Sequence, residues 1–235
     1  MRRKAVGILG GMGPEATADL FSKIVRSTPA RRDQDHLRVI VDSLPQIPDR
    51  TAAILGQGES PGPVLRAAAR RLESWGAEVI VIPCNTAHYY HGDIAAAVSV
   101  PVLHIMEQTA RAITSAHPEV RKVGILASTG TLNAGLYRRA LEAVGLTELC
   151  PPPDVQEDVM AAIYGVKAGE YDRPHRLLAA AAARLVQLGA GAVVAGCTEV
   201  PIALSEADVT VPFVDATLAL ARAAVRYAIG EDEPR

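Results

Sequence analysis

Val79-Ile80-Val81-Ile82-Pro83-Cys84-Asn85-Thr86-Ala87-His88 decides the fold. Its apolar run shows no alternation, which is the pattern of a parallel strand covered on both faces. The run ends at a cysteine followed by hydrogen-bonding side chains instead of packing residues. The same device returns at Ala192-Val193-Val194-Ala195-Gly196-Cys197-Thr198-Glu199, so that Cys84 and Cys197 stand 113 positions apart.

That spacing belongs to a longer repeat. Val6-Gly7-Ile8-Leu9 recurs as Val123-Gly124-Ile125-Leu126, and Gly13 as Gly130, at an offset of 117. Gly76-Ala77 recurs as Gly189-Ala190 at 113, and Val100-Pro101 as Val211-Pro212 at 111. Collinear matches whose offset drifts slowly imply an internal duplication. Apolar strands separated by helical stretches imply parallel βαβ units. The expected fold is α/β, with two pseudosymmetric lobes, each a parallel sheet flanked by helices, and an active site in the cleft between them. Residues 1–103 with 215–235 would form the first lobe and 104–214 the second. Strands are expected at Ala5–Leu9, Leu37–Val41, Glu78–Ile82 and Val100–Leu103 in the first lobe. Helices are expected at Val64–Trp75, Arg173–Leu188 and Ala216–Ile229, and a polar tail at Glu231–Arg235.

The chain has 235 residues, 49% of them hydrophobic and 21% charged, with a net charge of −2. This composition supports a large core and offers no basic surface for nucleic acid or an anionic membrane. No stretch is long enough to span a bilayer. Three cysteines without scaffold spacing suit a reduced, cytoplasmic protein.

Gly11-Met12-Gly13-Pro14-Glu15-Ala16 follows a strand, opens a helix and fits the G-x-G-x-x-A dinucleotide pattern, with Asp42 ending the next strand. Pro14 removes a donor that a pyrophosphate would use, and Asp42 lies beyond the usual spacing. A tight turn whose amides line a cleft is the plainer reading, and a dinucleotide enzyme is retained as an alternative.

Both thiols sit at the carboxyl ends of strands, where open α/β sheets place ligands. A helix N-terminus there would lower a thiol pKa, as a base working at neutral pH requires. Two matched bases flanking one carbon suit the inversion of a C–H stereocentre. One thiolate removes the proton and the opposed thiol returns one to the other face. Cys150 has no counterpart in the first lobe and reads as structural. Arg50 and Lys167 are 117 apart, both near strand ends, and could grip the carboxylates of a dicarboxylic amino acid. His88 and His91 have metal-compatible spacing, but no cluster completes a metal site.

Gly10-Gly11-Met12-Gly13-Pro14, Ser43-Leu44-Pro45-Gln46-Ile47-Pro48-Asp49-Arg50, Pro83-Cys84-Asn85-Thr86-Ala87-His88 and Gly196-Cys197-Thr198-Glu199 together resemble the aspartate/glutamate racemase family of pyridoxal-phosphate-independent amino-acid racemases. The resemblance covers essentially the whole chain. It implies that Cys84 and Cys197 are the two acid/bases. Asn85, Thr86 and Thr198 would hold the α-carboxylate or α-ammonium group, Met12 and Gly13 would line the cleft, and Arg50 and Lys167 would read substrate carboxylates. Glu199 stands where related glutamate racemases carry a histidine, and either assisting Cys197 or holding the ammonium group would suit it. No cofactor and a homodimer are further implications. Related two-cysteine proteins that racemise hydantoins, or that isomerise or decarboxylate other diacids, supply a second enzyme reading. A broad-specificity amino-acid racemase is also open. A two-lobed binding protein is the reading from another class.

Overall fold

Val6–Gly10 forms the central strand β1, flanked in parallel by β2 (Val39–Ser43) and β3 (Val79–Val81), in the order β2-β1-β3. The arrangement comes from a computed structural model that describes residues 3–231. β1 is buried along its whole length, as its unbroken apolar sequence requires. The helices Pro14–Ser27 and Gly62–Ser74 pack on it. Pro14 occupies the first turn, where its missing N–H costs nothing.

A second parallel sheet has the order β5-β4-β6-β7, built from β4 (Lys122–Leu126), β5 (Thr147–Leu149), β6 (Ala192–Ala195) and β7 (Phe213–Asp215). The helix Asp172–Gln187 packs on β4 and β6 and runs along the helix Pro153–Lys167. The chain divides into two compact units. One holds the residues up to Ile105 and those from Thr217 onward, and the other is Met106–Ala216. The closing helix Ala216–Ile229 matches its sequence pattern. The polar tail expected at Glu231–Arg235 lies, from residue 232 on, outside the described residues.

The duplication reaches into packing. In each sheet the first strand is central, and the strand that leads to a cysteine lies beside it. A Cβ at Gly7 would lie 2.7 Å from the Ala77 side chain and 3.4 Å from Leu72. One at Gly124 would lie 3.2 Å from Ala190 and 3.0 Å from Leu185. The same glycine admits the same alanine and leucine in both units, which is why the Val-Gly-Ile-Leu strands keep their glycine.

The expected strand at Val100–Leu103 reduces to one bridge, Ile80 with Val102. Ile80 N–H donates to Pro101 O at 2.8 Å and Leu103 N–H to Ile80 O at 3.0 Å, and the ladder stops there. The next acceptor, Ile82 O, already receives the Cys84 N–H at 2.8 Å. In the second unit, β7 pairs with β6 over three residues, as far as Ala195 with Asp215.

Candidate active site

Each cysteine lies just past the end of its strand and belongs to the apolar core of its own unit. The core that includes Cys84 also holds Leu9, Met12, Ile47, Ile80 and Ile82, and the core that includes Cys197 holds Leu126, Val159, Leu185, Val193 and Val200. Both are free thiols, as is Cys150. Polar side chains buried around them are unusual for a core. Asn85, Thr86 and His88 are buried beside Cys84, and Thr198 and Glu199 beside Cys197. Buried polar groups are expensive unless paired, so each needs a partner or a purpose.

At Cys197 the partner is visible. The thiol donates to Glu199 Oε2 at 2.9 Å, while Thr198 Oγ1 donates to the same oxygen at 3.4 Å. Lys167 Nζ donates to the other oxygen, Glu199 Oε1, in a salt bridge. Lysine, carboxylate and thiol thus form one chain of charge-assisted bonds. Burial and then the Glu199 charge push the Cys197 thiol well above the ordinary cysteine value, and Lys167 opposes them. A lowered thiol pKa at a helix N-terminus does not hold here. Only the four-residue helix Val200–Ala203 follows Cys197, so little dipole is available to offset burial. Cys84 is likewise followed by a short 3₁₀ turn, Thr86–Tyr90, and not by a long helix from Asn85.

Arg50 opens the helix Arg50–Ile54, with Asp49 accepting the Ala52 N–H as its cap. Its Nη1 donates to Ile47 O at 3.1 Å and Pro48 O at 3.0 Å, which fixes the guanidinium against the loop after β2. Lys167 ends the helix Pro153–Lys167. Arg50 thus starts the short helix that follows β2, whereas Lys167 ends the long helix that follows β5, so the repeat places the two cations at different ends of their helices.

The glycine turn closes on itself. Gly11 N–H donates to Thr17 Oγ1 at 2.8 Å, and that hydroxyl donates to Gly13 O at 2.9 Å. The Gly11 amide is thus occupied within the turn. Gly11 has φ +92°, and a Cβ there would lie 2.3 Å from the Leu44 backbone. Met12 is buried in the core of its unit, and Gly13 caps the helix Pro14–Ser27. Asp42, the acid that the dinucleotide pattern brought into view, pairs with Arg71 at 2.7 Å.

Sequence reasoning missed the role of His88. Its Nδ1 lies 2.9 Å from Cys84 O, and Ile105 N–H reaches its Nε2 at 3.1 Å. The signal was present as His88 four residues after Cys84, but sequence reasoning weighed that histidine only as a metal ligand. Among the described residues, no group of His, Cys, Asp and Glu could hold a metal ion, and no helix is long and apolar enough to cross a membrane.

Comparison with known proteins agrees with this architecture. The family profile described as Asp/Glu/Hydantoin racemase matches residues 9–224, and the chain belongs to that family; it is an isomerase of the racemase class. It is 28% identical over 224 residues to the broad specificity amino-acid racemase RacX of Bacillus subtilis, covering 94% of this chain and 96% of that one. Its fold is similar to that of Picrophilus torridus aspartate racemase, with a TM-score of 0.86 and 30% identity over 96% of this chain and 94% of the other. An aspartate racemase homologue from Pyrococcus horikoshii is similar at a TM-score of 0.78 and 27% identity, covering 96% and 99% of the two chains. A dinucleotide enzyme and a binding protein without turnover are thereby displaced.

Proposed function

We propose that the protein is a cofactor-independent racemase of aspartate, glutamate or both, in which Cys84 and Cys197 exchange the α-proton. The observation that carries the reading is the matched placement of two thiols. Each lies just beyond the strand adjacent to the central one, in two units of like topology. Duplicated bases are what inversion at carbon demands, because the reverse reaction exchanges their roles.

One thiolate takes the α-proton. The S–H bond forms as the C–H bond breaks, and the electron pair is left on carbon in conjugation with the α-carboxylate. The opposed S–H then breaks to protonate the other face. An α-proton is far less acidic than a thiol, so the developing charge must be stabilised. One well-placed donor contributes roughly 3–4 kcal/mol. Asn85, Thr86 and Thr198 are the buried donors assigned to the substrate's α-carboxylate and ammonium groups, with Met12 and Gly13 as wall. Arg50 is assigned to carboxylate recognition, while Lys167, its counterpart in the repeat, holds Glu199.

Glu199 is assigned to Cys197, not to the ammonium group. In this reading Cys197 rests as the protonated acid. When it must act as base, its proton passes to Glu199 and the new charge is balanced by Lys167. Work without pyridoxal phosphate fits the lysines. Lys167 is committed to Glu199, Lys23 to Asp19, Lys4 lies over the Tyr227 ring, and Lys122 is exposed at the start of β4. A cytoplasmic homodimer completes the proposal, supported by the three free thiols and by the family resemblance respectively.

A broad-specificity racemase is the second reading. The Lys167 charge is already matched by Glu199, which weakens the demand for a side-chain carboxylate. Incubation in deuterated water with L-aspartate, L-glutamate and a panel of neutral L-amino acids separates the two. Exchange and loss of optical rotation with the acidic pair alone supports the first reading. Comparable rates across the panel support the second, and no exchange with any amino acid overturns both.

A further inference from the structure

His88 sits where the second unit has Pro201, four residues past the cysteine in each case. Two features of the first unit call for a side chain there. In the 3₁₀ turn after Cys84, the His88 N–H goes to Asn85 O at 3.0 Å. A helix would have sent it to Cys84 O instead. The Cys84 carbonyl is therefore served by the His88 ring, with Nδ1 at 2.9 Å. The Ile105 N–H, beyond the single bridge that replaces the fourth strand, ends on His88 Nε2 at 3.1 Å.

A backbone N–H can only donate, and the Ile105 N–H at 3.1 Å is closer to Nε2 than Leu103 O at 3.5 Å, so Nε2 carries the lone pair and Nδ1 the proton. The ring is thus the neutral Nδ1–H tautomer, bonded at both ends. It is buried, and burial, then His104 and His91, hold it well below the ordinary imidazole value. His104 and His91 are its aromatic neighbours, with ring centroids at 5.0 and 5.8 Å, and His91 Nε2 is itself 2.8 Å from Val102 O.

We infer that His88 is the positioning residue for Cys84: its neutral ring ties the cysteine's carbonyl to the Ile105 amide and so fixes the backbone that aims the thiol. The inference rests on the acid/base role proposed for Cys84. It concerns the first unit alone, because Cys197 is held by Glu199 and has no imidazole partner in its own unit.

Three substitutions separate the two bonds. His88→Phe keeps a ring and removes both. His88→Asn keeps a donor near the Nδ1 position, and His88→Gln an acceptor near the Nε2 position. In folded protein, His88→Phe lowers kcat by a factor of order 10², the scale of a misplaced reacting group, with KM little changed. Asn and Gln each restore part of the loss. Alkylation of Cys84 by iodoacetamide, measured with Cys150 and Cys197 replaced by serine, changes rate in the same order. In the unsubstituted enzyme, ¹⁵N imidazole spectra at pH 7 show His88 as the neutral Nδ1–H tautomer.

Wild-type kcat and wild-type Cys84 alkylation in folded His88→Phe would overturn the inference. If that variant does not fold, wild-type values in His88→Asn would overturn it. An Nε2–H tautomer or an imidazolium at pH 7 would do so independently. Racemisation that continues at the wild-type rate in Cys84→Ala would instead remove the acid/base role of Cys84, leaving the tautomer and alkylation results to stand for the positioning of a non-catalytic cysteine.

Discussion

The Cys197 thiol donates to Glu199 Oε2 at 2.9 Å, and the other oxygen of that carboxylate receives Lys167. The three groups form one hydrogen-bonded chain. Burial and Glu199 raise the thiol pKa and Lys167 lowers it, so the two neighbours have opposite effects. Glu199→Gln should let Cys197 ionise at lower pH, and Lys167→Met should require higher pH. The rate of Cys197 alkylation against pH, with Cys84 and Cys150 replaced by serine, measures both. Curves that move in the same direction would contradict the arrangement.

Glu199→Gln should also slow catalysis although it eases ionisation, because the acceptor for the Cys197 proton is lost. Loss of a positioned acid/base group costs about 10²- to 10⁴-fold in rate. The expected outcome is a kcat lowered within that range in the direction in which Cys197 acts as base, with a smaller loss in the other. Progress curves from pure L and pure D substrate measure the two directions separately.

The duplication was legible because buried parallel strands are unbroken apolar runs, and because Gly7 and Gly124 must admit the same neighbours. β5 was not legible. It has three residues, Thr147-Glu148-Leu149, on the sheet edge, where no apolar run is required. Val100–Leu103 was over-read because its composition suits a strand, while the interruption comes from His88 and the Cys84 turn, which composition does not reveal. The cysteines and their polar followers were legible from the repeat. The direction of the Cys197 shift was not, since it depends on burial and on which way Glu199 turns.

Gly11 combines φ +92° with the Leu44 backbone 2.3 Å from a would-be Cβ. Backbone cannot yield as a flexible side chain does. Strain at such a position costs on the order of 1–3 kcal/mol, before the clash is counted. Gly11→Ala should therefore lower Tm by at least several degrees, at roughly 2–4 °C per kcal/mol for a chain of this size. Thermal unfolding followed by circular dichroism tests this, and an unchanged Tm would show that the turn relaxes freely.

The His175 ring lies 3.0 Å from Asp208 Oδ1, and Ser205 donates to the other oxygen through its backbone N–H at 2.8 Å and its hydroxyl at 2.7 Å. These bonds, His175 first, pull the Asp208 carboxyl from 3.8 down to about 2. A carboxylate depressed in the folded state stabilises above its unfolded pKa and loses that contribution as pH falls through the folded one. The Tm advantage of wild type over Asp208→Asn should hold down to about pH 4 and vanish near pH 2. An advantage independent of pH across that window would count against the assignment. The group is on the surface, so the effect is small.

Cys150 is half-buried, and burial with Glu148 raises its thiol to about 11. It should alkylate slowly at pH 8, and Cys150→Ser should retain wild-type racemisation. A large loss of kcat in that variant would place a third thiol in the chemistry.

The two-thiol claim is tested most directly by α-hydrogen exchange in deuterated water with single-cysteine variants. Wild type should convert L to D substrate with deuterium incorporated into the product. Cys84→Ala and Cys197→Ala should each abolish racemisation. Racemisation that continues at the wild-type rate in either variant would contradict the two-base account.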